Sequence, residues 1–248
     1  MSPFQIANSA NDAVPVVCWS CSIAQNESTL FCTQCSKVQP PPGTDYFQVF
    51  SLPRLLAIDL DVLEREFHRL SRRLHPDRFA RASEVEREFS LADTALINDA
   101  YRTLRDPIRR TEYLLKLEGE EIGEEHAGLN RTGSNLPSQD RAGVKDTSRV
   151  PADLLEEVFE LNMQMEELRM ARKIGEDDPA LLDEVRAAKT KFDTLLGDVD
   201  RSLHSQWTAW DTGSASDRAR AQRAMVTLLD RRRYLNNLVR DVNEVLGA

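Results

Sequence analysis

The sequence predicts an all-α protein in three parts: a small four-cysteine module, a helical hairpin and an antiparallel three-helix bundle. Three observations predict it. Leucine, alanine and arginine are plentiful while only 10 of 248 residues are glycine, a composition that leans helical. Apolar residues recur at spacings of three and four over long stretches after position 45. All four cysteines fall between positions 18 and 35, which confines thiol chemistry to one short N-terminal segment.

Residues 1–17 hold no Lys or Arg and are expected to be a disordered N-terminus, with neither a secretory n-region nor an Arg-rich transit peptide. Cys18, Cys21, Cys32 and Cys35 then read C-W-S-C, ten residues, C-T-Q-C. Two C-x-x-C knuckles can turn four thiolates toward one point, and the spacing is that of a tetrahedral zinc site. Two disulfides would require an oxidising compartment, and a redox C-x-x-C would require a strand-to-helix context; polar Gln25, Asn26 and Ser28 fill the gap instead. A closed four-sulfur site has no open position for water, so the expected zinc is structural. Trp19 and Phe31 are expected to pack over it. The module spans 18–44 and ends in a stiff P-P-P-G linker at 40–43.

Tyr46, Phe47 and Phe50 suggest a short helix that breaks near Pro53. Asp59 is a suitable N-cap for a helix with Leu60, Leu63, Phe67, Leu70 and Leu74 on its inner stripe, which leaves Arg65, Arg69, Arg72 and Arg73 outside. Pro76 ends that helix, because the residue before a proline is pushed out of the helical region. A second helix starts near Ser83, carries Phe89, Leu96, Ile97, Ala100, Tyr101 and Leu104, and stops at Asp106-Pro107. The triplet His75-Pro76-Asp77 therefore lies in the loop of a hairpin. A catalytic His-Asp dyad would need a nucleophile and a pocket, and no such constellation is evident nearby. Read from the residues alone, the triplet is either a solvated loop or a rigid corner offering a carboxylate to a partner's arginine.

Residues 106–118 continue into a short helix whose Tyr113, Leu114, Leu115 and Leu117 are expected to bridge two domains. Residues 119–150, rich in Gly, Glu, Ser and Asn without periodicity, read as a flexible loop. After Pro151 come three helical patterns. The first has Leu154, Val158, Leu161, Met165 and Leu168 inward and ends at Gly175. Asp178-Pro179 opens the second, with Leu182, Val185, Phe192, Leu196, Val199, Leu203 and Trp207 on one side. The turn at 212–216 precedes the third, with Met225, Leu228, Leu235, Val239, Val242 and Leu246. Short links between long amphipathic helices imply antiparallel neighbours. The first of these helices has a second apolar strip, Leu155, Phe159 and Met163 at i, i+4, i+8, flanked by Glu156, Glu160 and Glu167. Such a strip fits either a protein interface or packing against another helix or the loop.

D-Y-F-Q-V-F, the arginine-lined helix, H-P-D-R-F-A and A-L-I-N-D-A-Y-R-T-L-R-D-P-I-R-R-T-E-Y-L-L resemble the J-domain of DnaJ-type co-chaperones, and more closely its HscB branch, which serves iron–sulfur cluster assembly. The cysteine module resembles the extension found on eukaryotic-type and some bacterial members. The resemblance implies a J-domain over 45–118 and a scaffold-binding bundle over 151–248. It implies that His75, Pro76 and Asp77 dock a DnaK/HscA-type ATPase chaperone and stimulate its ATP hydrolysis, with Arg69, Arg72, Arg73 and Arg78 as supporting contacts. Arg78 stands where the family often has lysine, which keeps the charge. It further implies that an IscU-type scaffold protein binds Leu155, Glu156, Phe159, Glu160, Met163, Glu167 and Tyr234. Glu156 stands where an apolar residue is usual, and Met163 where bacterial relatives carry an acid.

The implied protein is a non-enzymatic adaptor without a bound nucleotide, cytoplasmic in a bacterium or in the mitochondrial matrix of a eukaryote. The rival readings are a general J-protein presenting unfolded clients, a thiol oxidoreductase using Cys18 and Cys21, and a zinc-ribbon nucleic-acid binder. The net charge of −9, with no segment carrying a basic excess, argues against nucleic acid as partner. No apolar run approaches the length of a bilayer span, which argues against a membrane.

Overall fold

A computed structural model describes residues 16–25, 29–43, 45–120, 151–175 and 178–247. Among them are seven α-helices and one pair of two-residue strands, so the all-α class holds. All of the expected flexible loop after residue 120 and most of the expected disordered start lie outside the described residues. Val16–Val17, the last two residues of that start, form β1. The chain divides into two compact units, Met1–Arg110 and Thr111–Ala248.

In the first unit, β1 pairs antiparallel with β2, Ala24–Gln25, across the first cysteine knuckle. α1, Tyr46–Val49, starts at Asp45, whose side chain accepts the Gln48 N–H at 3.0 Å. It ends in a Schellman-type turn: Leu52 N–H reaches the Phe47 carbonyl (2.8 Å) and Ser51 N–H that of Gln48 (3.0 Å). Ser51 takes the left-handed φ of 55° that glycine usually supplies. α2, Leu60–Leu74, is capped by Asp59, which accepts from Asp61 and Val62 N–H. Leu63, Leu70 and Leu74 are buried as the spacing predicts, but Leu60, at the first helical position, stays half exposed.

α3, Glu84–Arg105, opens with a full capping box of Ser83 and Glu86. It packs on α2 through Ile97, Ala100 and Leu104 and through a stacked Phe67–Tyr101 pair, centroids 4.1 Å apart. Its N-terminal half buries polar groups instead: Glu86, Ser90 and Asp93. α4, Pro107–Leu117, follows at once because Asp106 caps it, accepting from Ile108 and Arg109 N–H at 2.9 Å each. The boundary between the two units falls inside α4. Arg110, which donates to the Leu104 carbonyl, keeps the first turn of α4 with α3.

The second unit contains α5, Leu155–Ile174, α6, Pro179–Thr212, and α7, Ala215–Leu246. Asp178 caps α6 with Pro179 at its first position, and Gly175 closes α5 at φ 75°. α6 and α7 are joined only by Gly213 and Ser214. Ser214 makes a capping box with Asp217, and a Cβ on Gly213 would run into the Ala209 carbonyl oxygen and the Asp217 side chain. So short a link makes the two helices antiparallel, each about 50 Å long at 1.5 Å per residue. α5, about 30 Å long, lies along one end of this hairpin. There Val158, Leu161, Met165 and Leu168 join Val185, Phe192, Val199, Leu235 and Val242 in one core. Beyond α5, Leu203, Trp207, Trp210, Ala221 and Met225 remain buried. Gln222 donates to Glu120 at 3.0 Å, tying this end of the hairpin to the chain after α4. Four adjacent-pair choices differ from expectation. Leu181, Leu229, Leu238 and Val245 are buried where the stripe reading selected their neighbours Leu182, Leu228, Val239 and Leu246, which are only partly covered.

Candidate metal centre and docking surfaces

The cysteine module is built twice over. In the first knuckle, Ser22 N–H donates to the Cys18 carbonyl (2.9 Å) and Cys18 N–H to that of Ile23 (3.0 Å). In the second, Ser36 N–H donates to the Cys32 carbonyl (3.0 Å) and Cys32 N–H to that of Lys37 (2.9 Å). Ser22 and Ser36 both take left-handed φ, 60° and 58°, and this tight turn brings the second thiol of each pair beside the first. The four sulfurs lie within 4.8 Å of one another, with Cys18–Cys35 and Cys21–Cys32 at 3.7 Å. Sulfurs bonded to one tetrahedral zinc at about 2.3 Å stand about 3.8 Å apart, so the donor set fits.

Backbone amides already point at the thiols: Ser20 N–H at Cys18 Sγ, and Gln34 and Cys35 N–H at Cys32 Sγ, each 3.4 Å. Burial raises the Cys18 thiol, but donated N–H bonds and neighbouring thiols outweigh it and bring it down to about 6. Cys32 is likewise drawn below its usual value, first by the Cys35 N–H. Four thiols converge here, and all are free of disulfides. This arrangement could hold a metal ion. Trp19 and Phe31, expected to cover the metal, turn outward to the helical hairpin. Trp19 donates its indole N–H to the Val38 carbonyl (2.7 Å) and meets Phe89 edge-on at 6.0 Å. The Phe31 ring lies 3.9 Å below the Arg73 guanidinium.

His75, Pro76 and Asp77 form the corner between α2 and α3. The backbone does not wander there: 76–79 wind into one 3-10 turn with Pro76 at its start. His75 caps the turn, its Nδ1 accepting the Asp77 N–H at 3.3 Å. The Asp77 carboxylate is 91% exposed. Arg69, Arg72 and Arg78 are exposed, although Arg69 is also paired with Glu66 (2.6 Å) and Arg72 donates to the His68 carbonyl. Arg73 is exposed as well, but it is seated on Phe31.

On α5, Leu155, Phe159 and Met163 are 49%, 68% and 59% exposed, so among the described residues no helix covers them. Glu156, Glu160 and Glu167 flank the strip and are exposed. Tyr234 on α7 is half-buried against the bundle core, and that burial raises its phenol. The strip runs further than the sequence reading took it. Met170 and Ile174, 61% and 69% exposed, carry it to the end of α5. The signal was present as continued helical spacing, but the acidic pair Glu166-Glu167 interrupts the apolar pattern.

Relatives of the chain include co-chaperones named HscB. It is 39% identical over 119 residues to the mouse iron–sulfur cluster co-chaperone protein HscB, a match covering 46% of this chain and 51% of that protein. The chain thus spans about half the length of the mouse protein, and 47% of its human counterpart. The HscB homologue of Shewanella sp. (strain ANA-3) is 33% identical over 162 residues, 62% of this chain and 93% of that protein. No family model matches. Among solved structures, human HscB superposes with a TM-score of 0.61 at 25% identity, over 92% of this chain and 98% of that one. With helical hairpin, bundle and cysteine module in place, and a relative matched over nearly its whole length, the chain belongs to the HscB family of co-chaperones.

Proposed function

We propose that this protein is the adaptor of iron–sulfur cluster assembly that couples a cluster scaffold protein to a DnaK/HscA-type ATPase chaperone. The observation that carries this reading is the rigid, outward-facing corner at Asp77. A carboxylate fixed by a proline-started turn can accept a bidentate pair from a partner arginine without losing loop entropy on binding. The arginines of α2 and Arg78 would steer an acidic patch and set its orientation. His75 acts by capping the turn that aims Asp77.

The second contact is the α5 strip, which offers an apolar centre rimmed with carboxylates to an IscU-type scaffold. Leu155, Phe159 and Met163 supply the apolar area, while Glu156, Glu160 and Glu167 select a basic rim on the partner. Tyr234 adds an aromatic edge from α7. Holding scaffold and chaperone on one chain raises the effective concentration of one at the other. The four cysteines hold structural zinc, which fastens a module too small to build its own core. The chemistry of the cluster belongs to the partners.

The test is ATPase stimulation of the source organism's DnaK-type chaperone, with and without its scaffold protein. Wild type is expected to stimulate, His75→Gln to fail, and Leu155→Ala/Phe159→Ala to lose only the scaffold-dependent part. Equal stimulation by His75→Gln overturns the docking role. Unchanged scaffold capture by the double variant favours a general J-protein instead.

A further inference from the structure

Among the described residues, three contacts join the cysteine module to the hairpin, and they bracket the 75–83 corner. Phe31 lies under Arg73, in the last turn of α2 and two residues before His75. Lys37 Nζ donates to Glu86 Oε1 at 2.6 Å in the first turn of α3. Glu86 uses its other oxygen, Oε2, to accept from Ser83, so one carboxylate joins the module to the cap at which the corner ends. Trp19 meets Phe89 one turn further along α3. Each contact residue sits within two positions of a cysteine: Trp19 beside Cys18, Phe31 beside Cys32, Lys37 two after Cys35. Their placement is therefore set by the knuckles and not by a flexible tail.

We propose that the cysteine module is a brace across the two arms of the hairpin, with Phe31 and Lys37 as positioning residues that hold the docking corner in its binding shape. Arg73 is presented by Phe31 and stays exposed, so the contact orders the guanidinium without hiding it. Lys37 draws the Glu86 carboxyl below its usual range and keeps it ionised in the capping box. Loss of the bound metal would free Trp19, Phe31 and Lys37 together. The corner would then lose order on both sides at once, and the module would govern the affinity for the partner chaperone through the shape of the corner.

This inference rests on the docking reading, so its test carries a readout that needs no partner. Full-length wild type, Phe31→Leu, Phe31→Tyr and Lys37→Ala are compared by amide hydrogen exchange over 75–83 and by the concentration giving half-maximal stimulation of the DnaK-type chaperone. Phe31→Leu keeps the apolar bulk but removes the ring face, whereas Phe31→Tyr keeps the face. Exchange over 75–83 is expected to rise in Phe31→Leu and Lys37→Ala and to return to wild type in Phe31→Tyr. The half-maximal concentration is expected to rise about two- to five-fold with an unchanged plateau, the scale of one exposed cation–π contact. Metal content and thiol titration show that the module is still folded; Lys37 is half exposed, so its variant leaves the knuckles intact. Wild-type exchange and affinity in Phe31→Leu and Lys37→Ala overturn the brace. If wild type fails to stimulate at all, the docking reading falls, and exchange alone decides the brace.

Discussion

Ser90 donates its hydroxyl to the Leu74 carbonyl at 2.6 Å, across the hairpin and one residue before His75. Thr94 reaches the same oxygen at 3.2 Å. A helix leaves its last carbonyls without partners, and here α3 supplies them for α2 at a buried position. The corner is therefore anchored from inside as well as braced from outside. Ser90→Ala should cost about 1 kcal/mol, and Ser90→Ala/Thr94→Val about 1–3 kcal/mol, because the double change strands a buried carbonyl. Urea unfolding of the two variants against wild type measures both.

Asp93, one turn from Ser90, is fully buried with neither carboxyl oxygen hydrogen-bonded. Burial pushes its pKa up to about 7. The folded protein holds that proton where the unfolded chain, titrating near 4, has lost it. Stability contributed by this group is thus full below about pH 4, falls as pH rises through 7 and stays lowest above it. The fall amounts to roughly 4 kcal/mol at most. Asp93→Asn is expected to raise stability at pH 8 and to flatten the profile between pH 5 and 8. Chemical unfolding at each pH checks it; an unchanged slope means that Asp93 finds solvent or a partner.

Ser22 and Ser36 hold left-handed backbone that glycine adopts without strain. Ser22→Gly and Ser36→Gly should relieve about 1 kcal/mol each, less the entropy that glycine adds to the unfolded chain. More chelator should then be needed to strip the proposed zinc, by a titration read through released thiols. Chelation of the wild type should lower its thermal midpoint, since the module has little core apart from Leu30 and Val38.

On α5, two neighbours should behave oppositely. Phe159 is 68% exposed and Leu161 only 1%. Phe159→Ala should leave unfolding within about 0.5 kcal/mol of wild type while weakening scaffold capture. Leu161→Ala should cost about 2–5 kcal/mol through the cavity it leaves. Thermal denaturation beside a pull-down separates the two.

Local rules made much of the fold legible. Asp59, Ser83 and Asp178 were readable as caps or helix starts, Pro76 and Gly175 as stops, and the cysteine spacing as one converging site, because each depends on a few adjacent residues. The α5 strip was visible as a pattern, but whether it faced solvent was not. Where two apolar residues adjoin, as at 228–229, 238–239 and 245–246, helical spacing permits either to face inward, and the packing of α6 and α5 on α7 made the choice. The buried polar face of α3 gave no apolar signal at all.

By itself, then, the sequence determined the helices, most of their ends, the converging cysteines and the corner, since hydrogen-bond capping, side-chain periodicity and knuckle spacing are short-range effects. Only the tertiary structure decided that Trp19, Phe31 and Lys37 reach Phe89, Arg73 and Glu86. Contacts between residues 42 to 70 positions apart leave no periodic trace in a single chain, and form only once two folded elements meet.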